Sequence, residues 1–254
     1  MIDLHCHLLP GVDDGSPSVE RSVEVLLAME ATGVSAVCLT PHHHVGRHGS
    51  GIPAAHDTQF GALRARAPQG IRLYRGVELM LDRPVTARFV AQPGLTLAGT
   101  RYILVEFPRL VSLPAVGTAL HQVAQLGLIP VLAHPERYRA CTPDAVAHWK
   151  TAGAVMQLDA TTLLSAQSGR GRRARELLAH GLADIMAADN HGDDRMIGTA
   201  YRFLAEQGAV LQADLLGRRN PGAILEGLAL EPVPPFAIKT GLLERLKQML
   251  REDE

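Results

Sequence analysis

Two histidines spaced i and i+2, His5 and His7, close a short apolar stretch at the start of the chain, and Pro-Gly-Val-Asp13-Asp14-Gly follows shortly after. In an extended segment the side-chain period is two, so both imidazoles leave one face of one strand, where they can hold a single metal ion. By itself the pair is a weak signal, since histidines at a strand end also serve as ordinary hydrogen-bonded surface groups. Its weight comes from a regularity further along. Apolar runs that read as strands end in Thr-Pro-His42, in Gly-Val-Glu78, in Leu-Val-Glu106, in Leu-Ala-His134 and in Ala-Ala-Asp189-Asn-His191. A lone Glu78 or Glu106 is usually a solvated carboxylate, and a lone His134 a satisfied core histidine. Six strand ends carrying metal-ligating groups in one chain point instead to one polynuclear cluster. Imidazole and carboxylate without thiolate suit Mn, Fe or Zn at several centres better than a Cys-rich structural zinc site.

The elements that must position these groups follow from the hydrophobic pattern. Strands are expected over residues 2–4, 34–39, 71–77, 102–105, 129–133, 155–158 and 183–188. Helices are expected over 17–31, 113–126, 143–152, 172–180 and 195–207, the first with Ser16 as N-cap, Pro17 at the first position and Gly33 just past the end. Strands that alternate with helices make repeated βα units and a parallel sheet, and seven of them favour a closed barrel over an open sheet. In such a barrel every strand's carboxyl end opens on one mouth, which makes neighbours of residues remote in sequence. Residues 42–55, rich in Gly and His, read as a long loop. Cys6 faces away from the two histidines and belongs to the core.

Composition narrows the class. With 254 residues, 46% of them hydrophobic, the chain can bury one large core. A formal net charge of -1 provides no global field for nucleic acid or an anionic membrane, so any phosphate preference must be local. Three scattered cysteines without a CxxC argue against a disulfide framework, and neither a signal-like start nor a bilayer-length apolar run is evident; a cytoplasmic protein is expected. The domain division is a barrel over residues 1–231, then residues 232–254 as a Pro-rich linker and a short amphipathic helix from Thr240. That helix is expected to dock on its own barrel or to support a homo-oligomer.

The strings His5-Cys-His7, Val-Asp-Asp14-Gly, Thr-Pro-His42, Gly-Val-Glu78, Tyr-Ile-Leu-Val-Glu106-Phe-Pro, Pro-Val-Leu-Ala-His134-Pro-Glu-Arg137-Tyr and Asp189-Asn-His191 resemble the polymerase and histidinol phosphatase (PHP) superfamily. Within it they resemble the bacterial tyrosine-protein phosphatase branch of the CpsB/YwqE type, associated with capsule and exopolysaccharide synthesis. The resemblance implies an α/β fold, a distorted (β/α)7 barrel of the PHP type, with three divalent metal ions, Mn expected and Fe or Zn as alternatives. One ion would take His5, His7, Glu78 and Asp189; a second would share Glu78 and add Glu106 and His134; the third would take Asp14, His42 and His191. All these positions are filled.

Three divalent ions outweigh four carboxylates, so the expected guest is a phosphate ester dianion, attacked in line by a hydroxide bridging two of the metals. Arg137, three residues after His134, is the expected clamp on phosphate oxygens, and Arg195 a second candidate by resemblance. Asp13 or a metal-bound water is the candidate proton donor, although a phenol with a pKa near 10 leaves with little help. The function expected is metal-dependent hydrolysis of phosphotyrosine in a protein, such as the tail of a membrane-associated tyrosine kinase. Residues 43–48 and the basic stretch 170–175 are expected near the rim, where an acidic phosphotyrosine tail would pass. The alternatives are a small-molecule phosphatase of the histidinol-phosphate type and a noncatalytic metal-binding docking module.

Overall fold

The computed structural model describes residues 1–48 and 51–238. Among the described residues nine strands account for the sheet: β1 Ile2–Cys6, β2 Ala36–Leu39, β3 His42–His44, β4 Arg72–Arg75, β5 Glu78–Met80, β6 Tyr102–Glu106, β7 Ile129–Ala133, β8 Val155–Asp159 and β9 Ile185–Ala187. All seven expected strands are present, and two of them are interrupted: the second continues through Thr40 and Pro41 into β3, the third through Gly76 and Val77 into β5. All pairings are parallel, in the orders β1-β2-β4 and β3-β5-β6-β7-β8-β9. Backbone bonds from Gly76 to Leu39 (3.0 Å) and from Glu78 to Pro41 (3.0 Å) carry the pairing across the two interruptions. The last strand position returns to the first, with the Asp189 amide donating to the His5 carbonyl (3.0 Å) and the His7 amide to the Asn190 carbonyl (2.7 Å). Seven strand positions thus come full circle, an α/β fold with a distorted barrel at its centre.

The crossovers are α1 Val19–Ala31, α2 Val45–His48, α3 Ala54–Arg64, α4 Ala87–Val90, α5 Leu113–Gln125, α6 Pro143–Thr151, α7 Ala160–Leu164, α8 Gly169–Ala179, α9 Ile197–Glu206, α10 Val210–Asp214 and α11 Asn220–Glu226, with a π-turn at Leu215–Arg219 between the last two. Ser18, not Ser16, caps α1, because its hydroxyl accepts from the Arg21 amide (3.2 Å) while Ser16 bonds Ser22 inside the turn. The stretch 42–55 is not one loop: β3, α2 and the start of α3 lie within it. The basic segment supplies the first turns of α8, which begins at Gly169 behind a Ser168 cap, three residues ahead of expectation.

Packing divides the interior. Leu104, Val131, Ala133, Val155 and Ile185 form part of a smaller apolar cluster. Along their strands they share side-chain parity with Glu106, Gln157 and Asp159, so they fill the barrel beneath a polar mouth. A larger cluster, with Ile103, Leu132, Met156, Leu158 and Met186 packed on Val116, Leu120, Trp149 and Leu177, lies between sheet and helices. The β1 register against β2 slips by one residue between Asp3 and Cys6. Below the slip Ile2 and Leu4 pack with Cys38 in the smaller cluster; above it Cys6 joins Val37 and Leu39 in the larger one. That slip re-aims the strand so that His5 and His7 enter the mouth. The Pro-rich stretch lies against the barrel as far as residue 238: Val233 is buried, and the Phe236 amide donates to Leu178. The expected helix from Thr240 lies outside the described residues.

Candidate metal centre

Each ligand candidate sits at a carboxyl end of the barrel. His5 and His7 leave β1; His42 and Glu78 are register partners on β3 and β5; Glu106 ends β6; His134 follows β7, and Asp189 and His191 follow β9. His134 (φ 36°) and Asp189 (φ 50°) are two of three non-glycine residues in the left-handed region among the described residues. Such conformations are costly and persist where the surroundings over-determine them, as at a ligand cluster. Asp14 arrives on the loop after β1. Its neighbour Gly15 has no room for a side chain, because a Cβ there would lie 2.0 Å from the His7 carbonyl oxygen.

The side chains form three overlapping groups of metal-ligand type: His5, His7, Glu78 and Asp189; His42, Glu78 and Glu106; His7, Asp14, His42 and His191. In the first, His5 Nε2 and His7 Nε2 lie 3.2 Å apart, and each is 3.2–3.3 Å from Glu78 Oε2 and Asp189 Oδ1. Those separations match the edges, on the order of 3.3 Å, of a tetrahedron whose centre is about 2.0 Å from each donor. The second group differs from the expected one. His42 Nδ1 stands 3.0 Å from Glu78 Oε2 and 3.1 Å from Glu106 Oε1, because β3 pairs directly with β5, while His134 Nε2 is hydrogen-bonded to the other Glu78 oxygen at 2.9 Å. The His42 Nε2 edge faces Asp14 Oδ1 (3.4 Å), and His191 Nε2 lies 3.7 Å from the same oxygen.

Whether these residues fit a metal can be tested on the atoms themselves. Glu78 Oε2, Asp189 Oδ1, Glu106 Oε1 and His42 Nδ1 are buried and have no hydrogen-bond partner, although each has a polar neighbour within about 3.3 Å. They point at common space between them. Outward atoms, by contrast, are engaged: His5 Nδ1 meets Gln157 Oε1 (2.8 Å) and His7 Nδ1 meets Asp13 Oδ2 (2.7 Å), which leaves Nε2 of each ring turned inward. The field agrees with the geometry. Burial would push the Glu78 and Asp189 carboxyls up, yet the adjoining imidazoles, with Arg137 beside Asp189, hold both below the usual range. Burial likewise disfavours charge on His42, and the adjoining Glu106 and Glu78 carboxylates raise it to about 10. The site favours positive charge at its centre, and the donor set fits divalent ions.

Above the cluster opens a cavity of about 320 Å³ lined by Arg109, Arg137 and Arg195 as well as by ligand candidates. Arg137 reaches in as expected, with NH2 on Asp159 (2.6 Å) and Asp189 (2.5 Å). Arg195 is folded onto Asp193 (2.7 Å) and stays 3.6 Å from Asp189. Asp13 does not stand where a proton donor would. It is not among the lining residues, its oxygens take His7, the His42 amide and the Gly15 amide, and although burial opposes ionisation these partners bring its carboxyl down to about 2. His43 is buried beside Phe89, and Arg173 and Arg175 turn their Nε groups onto the carbonyls of Glu136 and Leu163, while Arg170 and Arg172 stay exposed. Sequence reasoning passed over Arg109, Gln157 and Asp159. Asp159 carried a usable signal, since it ends β8 as the other acids end theirs; Gln157 and Arg109 carried none.

A family model described as capsular polysaccharide synthesis, CpsB/CapC, matches residues 1–226. The tyrosine-protein phosphatase YwqE of Bacillus subtilis (strain 168) is 33% identical over 168 residues, 64% of this chain and 66% of that protein. The tyrosine-protein phosphatase CpsB of Streptococcus agalactiae serotype V is 26% identical over 240 residues, 89% of this chain and 98% of that one. Among solved structures, the work on YwqE from Bacillus subtilis and CpsB from Streptococcus pneumoniae, described as unique metal-dependent tyrosine phosphatases, superposes with a TM-score of 0.76 at 27% identity, covering 94% of this chain and all of that one. The phosphotriesterase of Mycobacterium tuberculosis, at 12% identity and a TM-score of 0.55 over 89% of this chain and 93% of its own, shares the fold alone.

Proposed function

The chain belongs to the CpsB/CapC family of capsular polysaccharide synthesis proteins, and on that premise we propose that it is a metal-dependent protein-tyrosine phosphatase, a phosphoric monoester hydrolase acting on phosphotyrosine in proteins. Relatives named as tyrosine-protein phosphatases support the reading. The observation that carries it is the set of buried, unpartnered ligand atoms of His42, Glu78, Glu106 and Asp189 beneath an arginine-lined cavity. In this reading the cluster would hold three divalent ions, one on His5, His7, Glu78 and Asp189, one on Glu78, Glu106 and His134, and one on Asp14, His42 and His191, with His42 facing Asp14 through Nε2 and standing beside Glu78 and Glu106 through Nδ1. Mn is the favoured ion, with Fe or Zn as alternatives. Bound ions supply Lewis-acid polarisation of phosphoryl oxygens and a water acidic enough to attack near neutral pH.

The chain's own residues do the rest. Gln157 and Asp13 fix the two β1 imidazoles in the tautomer that turns Nε2 inward, so Asp13 acts by positioning His7. Arg137, anchored through one nitrogen to Asp159 and Asp189, lines the cavity where its guanidinium meets the phosphoryl group and offsets charge that builds on its oxygens. Arg195 gives weaker support from the rim. Tyrosinate is a stable leaving group near its pKa of about 10, so a side-chain acid is dispensable, in keeping with the ionised state of Asp13. The substrate in this reading is the phosphotyrosine tail of a membrane-associated tyrosine kinase of polysaccharide synthesis, met in the cytoplasm.

The test is phosphate release by chelator-stripped protein reloaded with Mn, offered a phosphotyrosine peptide, a phosphoserine peptide and histidinol phosphate. Metal-dependent preference for phosphotyrosine, with kcat reduced about 100-fold or more in Arg137→Ala, is expected. Preference for histidinol phosphate would replace the substrate, and no turnover of any ester by metal-loaded protein would leave a docking module.

A further inference from the structure

A second recess adjoins the mouth. It measures about 380 Å³ and runs between the segment after β5 and the exposed face of α5, with Leu81, Pro84, Val85, Phe107, Val111 and Val123 giving it an apolar lining. Phe107 lines both recesses and is the wall between them. That wall is fixed: the Phe107 amide donates to the Tyr138 hydroxyl (3.1 Å), the two rings meet edge to face at 6.3 Å, and the Tyr138 hydroxyl donates in turn to the Ala133 carbonyl at the end of β7 (3.3 Å). Past it, residue for residue, Arg109 lines the mouth, Leu110 is 82% exposed and Val111 lines the groove. Arg137 and Arg195 are tied to carboxylates, whereas Arg109 has no ion pair among the described residues.

We propose that the substrate polypeptide crosses the 107–111 loop, with its phosphotyrosine in the mouth and an apolar side chain close to it in sequence seated in the groove beyond Phe107. The inference rests on the phosphatase reading and adds a specificity subsite to it. Continuity decides the occupant. A chain whose phosphotyrosine enters the mouth advances about 3.8 Å per Cα, so a residue one or two positions away clears a wall one side chain thick. The groove offers that residue an apolar lining, and apolar surface removed from water there contributes to binding. Arg109, standing over the divide, is the cation available to the anionic group on the mouth side.

The experiment uses fluorescent peptides built on phosphonodifluoromethyl-phenylalanine, a non-hydrolysable phosphotyrosine, flanked on both sides either by leucines or by glycines, with affinity for the Mn-loaded full chain read by anisotropy. Leucine flanks are expected to tighten Kd about tenfold, and Ala115→Trp or Thr118→Trp, two exposed α5 positions lining the groove, to abolish most of that gain by filling it. Equal affinities for the two peptides on the unaltered chain overturn the subsite, as does a leucine advantage that survives both tryptophan variants. Hydrolysis of free phosphotyrosine, followed in parallel, separates the two readings: turnover without a leucine preference removes only the groove, and absence of turnover removes the phosphatase reading and the subsite together.

Discussion

Asp13 and Arg137, opposite in charge, do different work at the same mouth. Asp13 engages both oxygens with His7, the His42 amide and the Gly15 amide and holds the His7 ring; Arg137 engages one nitrogen with Asp159 and Asp189 and lines the cavity. Asp13→Asn is therefore expected to weaken metal binding about 10- to 100-fold in a chelator competition, without the loss of fold that a core substitution brings. A pH dependence follows from the same carboxyl. Its folded-state pKa lies at about 2, below the ordinary value of 3.8, so its stabilising effect is complete above about pH 4 and is lost as pH falls toward 2. In metal-free protein the Asn variant should lack about 2 kcal/mol of the acid-dependent loss seen in the parent, measured by denaturant titration between those limits. Unchanged metal affinity in the variant would remove the positioning role.

At the scale of elements, the turn after β7 does the most to shape the mouth. His134 takes the left-handed conformation, Pro135 starts a 3-10 turn ending at Arg137, and the buried Glu136 between them locks that turn in place. Its Oε1 accepts from the Asp159 amide (2.9 Å) and the Thr162 hydroxyl (2.8 Å), joining β7 to β8 and α7, while Arg173 of α8 donates to its carbonyl (2.8 Å). Burial, with the charge of Asp159, raises the Glu136 carboxyl to about 6. Glu136→Ala leaves the buried Asp159 amide without its acceptor, while the Thr162 hydroxyl keeps the Asp159 carbonyl (2.8 Å), and releases the turn that carries both His134 and Arg137. An expected loss of about 1–3 kcal/mol in unfolding free energy, with a fall in kcat larger than any rise in KM, would show that the turn positions the site. A stability loss with unaltered kcat would show that it only packs.

For the whole molecule, three buried carboxylates, Glu78, Glu106 and Asp189, converge on a mouth where each has an inner oxygen without a protein partner, so metal and fold are thermodynamically linked. An ion at 100 times its Kd stabilises the folded chain by about 2.7 kcal/mol, and a chain of this size shifts its Tm by about 2–4 °C per kcal/mol. Chelation is therefore expected to lower Tm by roughly 5–10 °C, restored by Mn and not by Na at equal ionic strength, as measured by calorimetry. A Tm indifferent to chelator would mean that the mouth is organised without metal. Among the described residues no helix is long and apolar enough to cross a membrane, and the Pro-rich stretch binds the barrel along 233–236 instead of leading away from it.

The sequence by itself determined the βα alternation, the seven strand positions and the set of residues at their carboxyl ends, because hydrophobic period and residue type are local properties that survive without coordinates. It also carried the motif strings that identify the family. Only the tertiary structure decided which of those residues meet. The one-residue slip in β1, the break of the second and third strands into β2/β3 and β4/β5, and the left-handed turns at His134 and Asp189 are set by neighbours from other strands, so nothing in the local pattern announces them. For the same reason His42 falls beside Glu78 and Glu106, Asp13 becomes the partner of His7 instead of an acid, and Arg109 enters the mouth unannounced. A side chain's chemistry is written in its type, but its partners are fixed by long-range packing.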